Sequence, residues 1–295
     1  MNTLKGRTFS GRRFTPAELV EIREIVANFP GLSRTELAKT ICELLDWTRP
    51  SGALKSRECL DFLEAVDAEG LIRLPERRST RPFGSKTEIP PPREEEAVTL
   101  TGSVDQFSPV VLNRICDRSG RDMWRGMVER HHYLGYRVPF GASLRYFIQV
   151  SRPKPLIVGC MQFSSPAWRM ADRDQWVGWD DAQRKNHLQR LVNNSRFLIL
   201  PGIQVRNLAS AALAEACRVL PGDWEAHYGV RPVLLESLVD GNRFSGTCYR
   251  AANWTEVGVT SGRGRMDRAN VRSGAAPKKL FLIPLIKNFR HFLGG

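Results

Sequence analysis

Several familiar signatures are absent from this sequence of 295 residues. It has no Walker-type phosphate loop, no G-x-G-x-x-G dinucleotide fingerprint and no G-x-S-x-G nucleophile elbow. P-loop ATP hydrolysis and dehydrogenase chemistry are therefore poor fits. The six cysteines (Cys42, Cys59, Cys116, Cys160, Cys217, Cys248) form no C-x-x-C pair and have no histidine at finger spacing. They read as free thiols of a reducing compartment, and no metal site is expected. No run approaches the roughly 20 apolar residues of a membrane span. The first residues carry no apolar stretch of signal type, so the expected location is the cytoplasm and no membrane partner is expected.

Acidic residues are also in short supply. Lys and Arg number 44 against 31 Asp and Glu, a formal net charge of +13. An excess of that size favours a polyanionic partner, nucleic acid first and an anionic membrane surface second. Hydrophobic content of 42% is ordinary, so a packed core is expected.

Residues 1–14 read as a basic tail, with Lys5, Arg7, Arg12 and Arg13 among small polar residues. Thr15-Pro16-Ala17-Glu18 and Ser33-Arg34-Thr35-Glu36 are capping boxes that open two helices, the first stopped by Pro30-Gly31. A third helix is predicted over 53–68, and a short strand over 71–75. Three helices and a strand are the order of a winged helix-turn-helix, placed at 15–76. Arg49, in the turn before the third helix, and Lys55 and Arg57, at its start, are candidate nucleic-acid contacts. A linker follows over 77–97, basic, then proline-rich, then acidic.

The second domain, 98–295, reads as α/β (α+β). A strand is predicted over 98–104 and a helix in the later half of 110–128. A hairpin follows over 144–150 and 156–163, then a long Trp-bearing loop over 165–181. Helix over 184–193, strand over 196–200, loop over 201–207, helix over 208–219, turn over 221–224 and strand over 233–239 come next. The last three regular elements make a parallel β-α-β crossover. A strand over 278–285 and a short helix close the chain.

Glu236 and Asp240 lie four apart, on one face of a strand, with Asp240 at its carboxyl end, where open α/β sheets carry their sites. Apolar neighbours of Glu236 would raise its pKa, as acid/base work needs; pairing with Arg196, Arg243 or Arg250 is the structural alternative. Tyr249 is a candidate nucleophile or proton donor, or else a buried hydroxyl with a backbone partner. His131 and His132 are adjacent, so they cannot both face one way; one is a candidate general acid/base. From Arg263 to Arg290 eight Lys or Arg stand against one acid, Asp267. Arg263, Arg265 and Arg268 lie in its glycine-bearing part, which suits phosphate contact. Arg206 and Asn253 complete the candidate pocket.

Three segments carry a resemblance to a known family: RHHYLGY (130–136), LVDGNRFSGTCYRAANWTEVGVTSGRGR (238–265) and KKLFLIPL (278–285), with the shorter LDW and GLIRLP pieces upstream. They resemble the DruA family, whose members occur in Druantia anti-phage defence systems and among transposase-like proteins. The resemblance implies a DNA-binding effector with defence-system or mobile-element partners, processing nucleic acid by nicking, joining or transposase-like chemistry. Divalent metal would serve such processing. The order of elements also resembles the GNAT acyltransferase fold, which implies acyl-CoA and group transfer to a base or protein. The turn that would hold the pyrophosphate, 202–209, has Arg206 but lacks paired glycines. A non-enzymatic DNA-binding adaptor is the third reading.

Overall fold

The computed structural model describes residues 6–28, 32–50, 54–76, 99–136, 141–167, 169–260 and 277–294. Arg263, Arg265, Arg268, the expected linker and the helix stop at 30–31 lie outside them. The chain divides into two compact units.

The first unit opens with a hairpin, β1 (Arg7–Phe9) and β2 (Arg12–Phe14), where a tail was expected. The hairpin forms because Phe14 has somewhere to go: it is fully buried and stacks on Phe62 at 4.2 Å, with Trp47 edge-on at 5.0 Å. Arg12 ties the hairpin down, donating to the Leu45 carbonyl and to Glu18 at 2.6 Å. Three helices follow, α1 (Pro16–Asn28), α2 (Arg34–Leu44) and α3 (Ser56–Ala68). Both predicted capping boxes are made. Thr15 and Glu18 exchange bonds of 2.8 and 3.2 Å, and Ser33 and Glu36 bonds of 2.8 and 3.3 Å. The strand expected over 71–75 does not form; Leu74 N instead donates to Asp67 Oδ1, closing the chain back on α3.

The second unit begins with β3 (Leu100–Ser103), α4 (Val104–Phe107), β4 (Val110–Arg114) and α5 (Arg118–His131). The segment read as partly helical thus splits into strand and helix. Asp117 makes the break by capping α5, accepting from Gly120 N at 2.7 Å. The hairpin is found as β5 (Ser143–Val150) and β6 (Leu156–Ser164). The expected long loop contains α6 (Ala171–Val177). Helix α7 (Asp181–His187) and a 3-10 turn, Leu188–Arg190, precede β7 (Leu191–Ile199), so the helix predicted to 193 gives way early to a strand. A short strand, β8 (Ile203–Arg206), and a long helix, α8 (Leu208–Tyr228), lead to β9 (Leu234–Asp240). The turn expected at 221–224 lies inside α8, which continues past Pro221 because Leu220 and Trp224 are both buried. The chain ends with α9 (Thr247–Ala251), β10 (Thr255–Val259), β11 (Lys278–Pro284) and α10 (Phe289–Phe292).

Seven strands form one mixed sheet in the order β10-β11-β9-β7-β6-β5-β4, and β3 pairs with β8 in a separate parallel ladder. The predicted crossover is present: β7 and β9 are parallel, linked through α8. On the first face of the sheet α5 packs Trp124 against Phe147, Cys160 and Leu198. The register puts α6 and α10 on that same face, around Leu191, Leu234, Leu280 and Leu282. The second face carries α8, whose Asp223 accepts from the Tyr146 hydroxyl at 2.9 Å.

The parallel pair shapes the site most directly. It holds from Leu191–Leu234 to Asn194–Ser237 and then stops, while β7 runs on to Ile199 and β9 to Asp240. A bulge causes the parting. Asn194 opposes Phe163 and Arg196 opposes Gln162, leaving Ser195 as the extra residue. Asn194 seals the bulge, donating to the carbonyls of Gln162 at 3.3 Å and Arg196 at 3.1 Å.

Candidate functional site

Alternation along β9 sends Leu234, Glu236 and Asp240 to the first face, and Ser237 and Val239 to the second. The two acids therefore share a side, as predicted, but their settings differ. Glu236 is fully buried and meets Arg173 of α6, itself fully buried, at 3.2 Å. Arg173 also binds Asp174 at 2.8 Å and donates to the Ala167 carbonyl at 2.7 Å, and Arg184 reaches Asp174 at 3.2 Å. Burial pushes the Glu236 carboxyl above its ordinary range, and Arg173 opposes the shift. For Glu236 the partner is thus none of the three arginines expected of the acids, since Arg250 pairs with Glu256 and Arg196 bonds to backbone carbonyls; for Asp240 it is one of them, Arg243. This network fastens α6 to the sheet.

Asp240 ends the strand and builds the turn after it. Its Oδ1 accepts from Asn242 N at 3.0 Å, and its carbonyl accepts from Arg243 N at 3.1 Å and Phe244 N at 2.9 Å. Its Oδ2 faces Arg243 Nε at 3.7 Å. Across the antiparallel ladder Asp240 stands opposite Lys278. Neighbours in that position have Cβ atoms about 5 Å apart.

Electrostatics bring two more groups to the same place. His132, just past the end of α5, is held near pKa about 4, first by burial and then by the charges of Arg196 and Lys278. It is therefore the neutral imidazole at neutral pH, and its Nδ1 accepts from Leu134 N at 3.2 Å. In that state it donates through Nε2 rather than taking up a proton. The Lys278 ammonium is pushed down by burial and by Arg196, with Asp240 opposing. Tyr133 is raised by burial and by the Asp240 charge. So the carboxyl end of β9 gathers Asp240, Lys278, Arg196, His132 and Tyr133 on the first face. Arg243 lies over the Tyr133 ring at 5.0 Å, and Phe244 is tilted against it at 5.8 Å.

Tyr249 goes elsewhere. It is buried on the second face, stacked on Phe281 at 5.1 Å, and its hydroxyl closes the fork between β7 and β9. Ser237 Oγ donates to it at 2.9 Å, and it donates to Asn194 Oδ1 at 3.1 Å. Burial raises its pKa. The arrangement is that of a structural hydroxyl, bonded to side chains and not to the backbone partner expected. His131 is exposed on the last turn of α5. Arg206 is exposed at the end of β8, in the separate ladder with β3. Asn253 is exposed, with φ of 62°, and turns the chain after α9. In the first unit Arg49 pairs with Glu58 at 2.7 Å and Arg57 with Asp61 at 3.8 Å, while Lys55 stands at the N-cap position of α3 without a side-chain capping bond.

Sequence reasoning thus named Asp240 and His132, with Arg196 and Arg243 as possible ion-pair partners of the acids, but did not foresee that Tyr133, Arg196, Arg243, Phe244 and Lys278 gather about them. Four of the five sit inside the quoted RHHYLGY, DGNRF and KKLFLIPL segments, so the signal was present as motif and lacked only a pairing register. Among the described residues no group of three or more His, Cys, Asp or Glu gathers as metal ligands.

Comparison with known proteins gives a family and a set of fold neighbours. The family model described as Druantia protein DruA matches residues 67–276. The Druantia protein DruA of Escherichia coli (strain UMEA 4076-1) is 26% identical over 145 residues, 46% of this chain and 35% of that relative. The match thus spans about a third of the relative's length. Among solved structures, a spermidine N-acetyltransferase from Vibrio cholerae in complex with CoA and spermine is similar at a TM-score of 0.39. It is 10% identical, over 60% of this chain and 95% of that one. An N-acyl amino acid synthase from uncultured soil microbes has a TM-score of 0.35 and 13% identity, over 60% and 91% of the two chains.

Proposed function

The chain belongs to the DruA family, and from that membership and the geometry at the end of β9 we propose that it is an anti-phage defence component that engages DNA there. The observation that carries this reading is the gathering of Lys278, Arg196 and a neutral His132 about Asp240, in a chain of net charge +13. Cations partly withdrawn from water attract a phosphate more strongly than solvated ones. A neutral imidazole adds a hydrogen-bond donor without competing for the anion. The basic segment fits the same reading. The chain leaves β10 at Thr260 and returns at Lys278, and the two residues exchange bonds of 2.8 and 3.0 Å. Arg263, Arg265 and Arg268 lie between those two residues in sequence, and they are proposed as further phosphate contacts. In the first unit Arg49, Lys55 and Arg57 are proposed to do the same from a winged-helix-type module.

Binding of labelled DNA across a salt series tests the proposal. Replacing Lys278 with Ala, or Arg263 and Arg265 together with Ala, should weaken binding and lower the salt slope by roughly one for each phosphate no longer neutralised. An unchanged slope in both variants would refute it. Incubation with single- and double-stranded DNA, with and without divalent metal, reads nicking or joining, and Asp240→Asn is the variant expected to abolish either.

A second reading, group transfer, is favoured by one observation: the parallel strands β7 and β9 part after Asn194 and Ser237. In this reading the fork would take an acyl donor. The hydroxyl of Tyr249 now bridges it. Titration calorimetry with acyl-CoA decides, since a flat trace over a wide concentration range removes this reading.

A further inference from the structure

Six large hydrophobic side chains are exposed among the described residues, and three of them, Tyr133, Leu134 and Phe244, fall in the two loops that meet at the end of β9. Tyr133 is 36% exposed but already touched by neighbours. His132 stacks on it at 4.9 Å and Arg243 lies over it at 5.0 Å. Phe244 is 51% exposed and meets Tyr133 at an interplanar angle of 57°, so about half of it remains open to solvent.

The ring is not on a loose loop. The backbone amides of Arg243 and Phe244 both bond to the Asp240 carbonyl. One residue on, the Ser245 carbonyl accepts from Arg250 at 3.0 Å and Lys279 at 3.4 Å. An apolar ring held at a fixed place in water forgoes the stabilisation of burial unless something covers it. The cover must suit a cationic rim, since Arg243, Lys278 and Arg196 surround the site. An uncharged lipid or an apolar protein face would bring no anion to that rim. A nucleobase with its own phosphate answers both: a π-face for the ring and an anion for the rim.

We propose that Phe244, backed by Tyr133 and Arg243, is a stacking platform for an unpaired nucleobase, so that the site takes single-stranded rather than fully paired DNA. The inference rests on the proposal that this end of β9 engages DNA. A base inside a duplex is stacked on both sides and offers the ring no face. Lys278 then holds the phosphate of the stacked nucleotide, and the turn built on Asp240 sets the spacing between the two.

Fluorescence anisotropy with three probes of equal length tests this: a single strand, the same strand with abasic spacers replacing its bases, and a duplex. The wild-type chain should bind the base-bearing strand at least about tenfold more tightly than the abasic one, the ratio expected for one good stack. Phe244→Ala should erase that ratio, Phe244→Trp should keep it, and Tyr133→Ala should reduce it. Both side chains are exposed, so the core stays intact in each variant. Lys278→Ala should weaken both single strands alike, and the duplex should bind the wild type no better than the abasic strand does. Equal wild-type binding to the base-bearing and abasic strands would overturn the platform and leave the DNA reading standing. A base preference that survives Phe244→Ala would do the same. Binding to none of the probes would overturn both.

Discussion

Arg173→Met is the sharpest test of how the site is supported. The guanidinium is fully buried and serves three partners: Glu236 at 3.2 Å, Asp174 at 2.8 Å and the Ala167 carbonyl at 2.7 Å. Methionine roughly keeps the aliphatic volume and removes the charge. Asp174 retains Arg184 at 3.2 Å, so the loss falls mainly on Glu236, which is fully buried. Breaking a buried pair from one side costs about 3–5 kcal/mol, because the remaining charge is left in a low dielectric. The sign with pH follows. The folded-state pKa of Glu236 is already raised by burial, and losing Arg173 raises it further. A carboxyl with a raised folded pKa binds its proton more tightly folded than unfolded, so its burden on stability grows as pH climbs from the unfolded pKa through the folded one. The variant should therefore be most destabilised at pH 8 and partly restored near pH 5. Adding Glu236→Gln should recover most of the loss, since a neutral pair has no stranded charge. Urea midpoints for the wild type, both single variants and the double variant, at the two pH values, complete the cycle. A loss under about 1 kcal/mol, a loss independent of pH, or a double variant no better than Arg173→Met alone would refute the assignment.

Three further outcomes are expected. Tyr249→Phe removes a buried hydroxyl bonded to Ser237 and Asn194; it should cost about 1–3 kcal/mol in a denaturant titration and leave DNA affinity unchanged, whereas a catalytic Tyr249 would lose reaction at unchanged stability. His132 should remain unprotonated down to about pH 5 in an NMR titration, given its pKa of about 4; because the unfolded imidazole binds its proton first, stability should fall as pH drops from about 6.5 toward 4, and a midpoint near 6.5 would show that it is neither buried nor crowded by Arg196 and Lys278 as described. Gly246→Ala should destabilise strongly, since the residue sits at φ of 83° and a Cβ there would come within 2.4 Å of the Phe281 ring; a thermal midpoint unchanged from wild type would contradict the packing described.

What could be read from the sequence was what depends on near neighbours. The capping pairs Thr15–Glu18 and Ser33–Glu36 span three residues, and both formed as read. The apolar run of β9 and the hairpin of β5 and β6 carry their period within themselves. What escaped depends on partners far along the chain. The first strands were read as a tail because nothing local says that Phe14 will meet Phe62. Glu236 lies 63 residues from the arginine that neutralises it. Pro221 signalled a turn, but burial on either side of it kept α8 whole. The candidate site was half legible for the same reason. Asp240 and Tyr249 are nine residues apart and looked like one cluster, yet register places them on opposite faces of the sheet.

That separation gives the segment between them two duties. Asp240 folds the chain into a turn that holds Phe244 toward solvent, and Gly246, at positive φ, lets it pass close beneath the Phe281 ring. Helix α9 then drives Tyr249 into the second face, where its hydroxyl joins the parting strands β7 and β9. Arg250, from the same helix, reaches back to the Ser245 carbonyl. A shift of α9 would therefore be felt at the turn through that bond, and at the strand fork through Tyr249. The fork begins at the bulge that also turns Arg196 to the first face. The buried hydroxyl and the exposed ring are thus two ends of one short piece of chain. The rigidity of the proposed platform depends on packing that lies on the far side of the sheet from it.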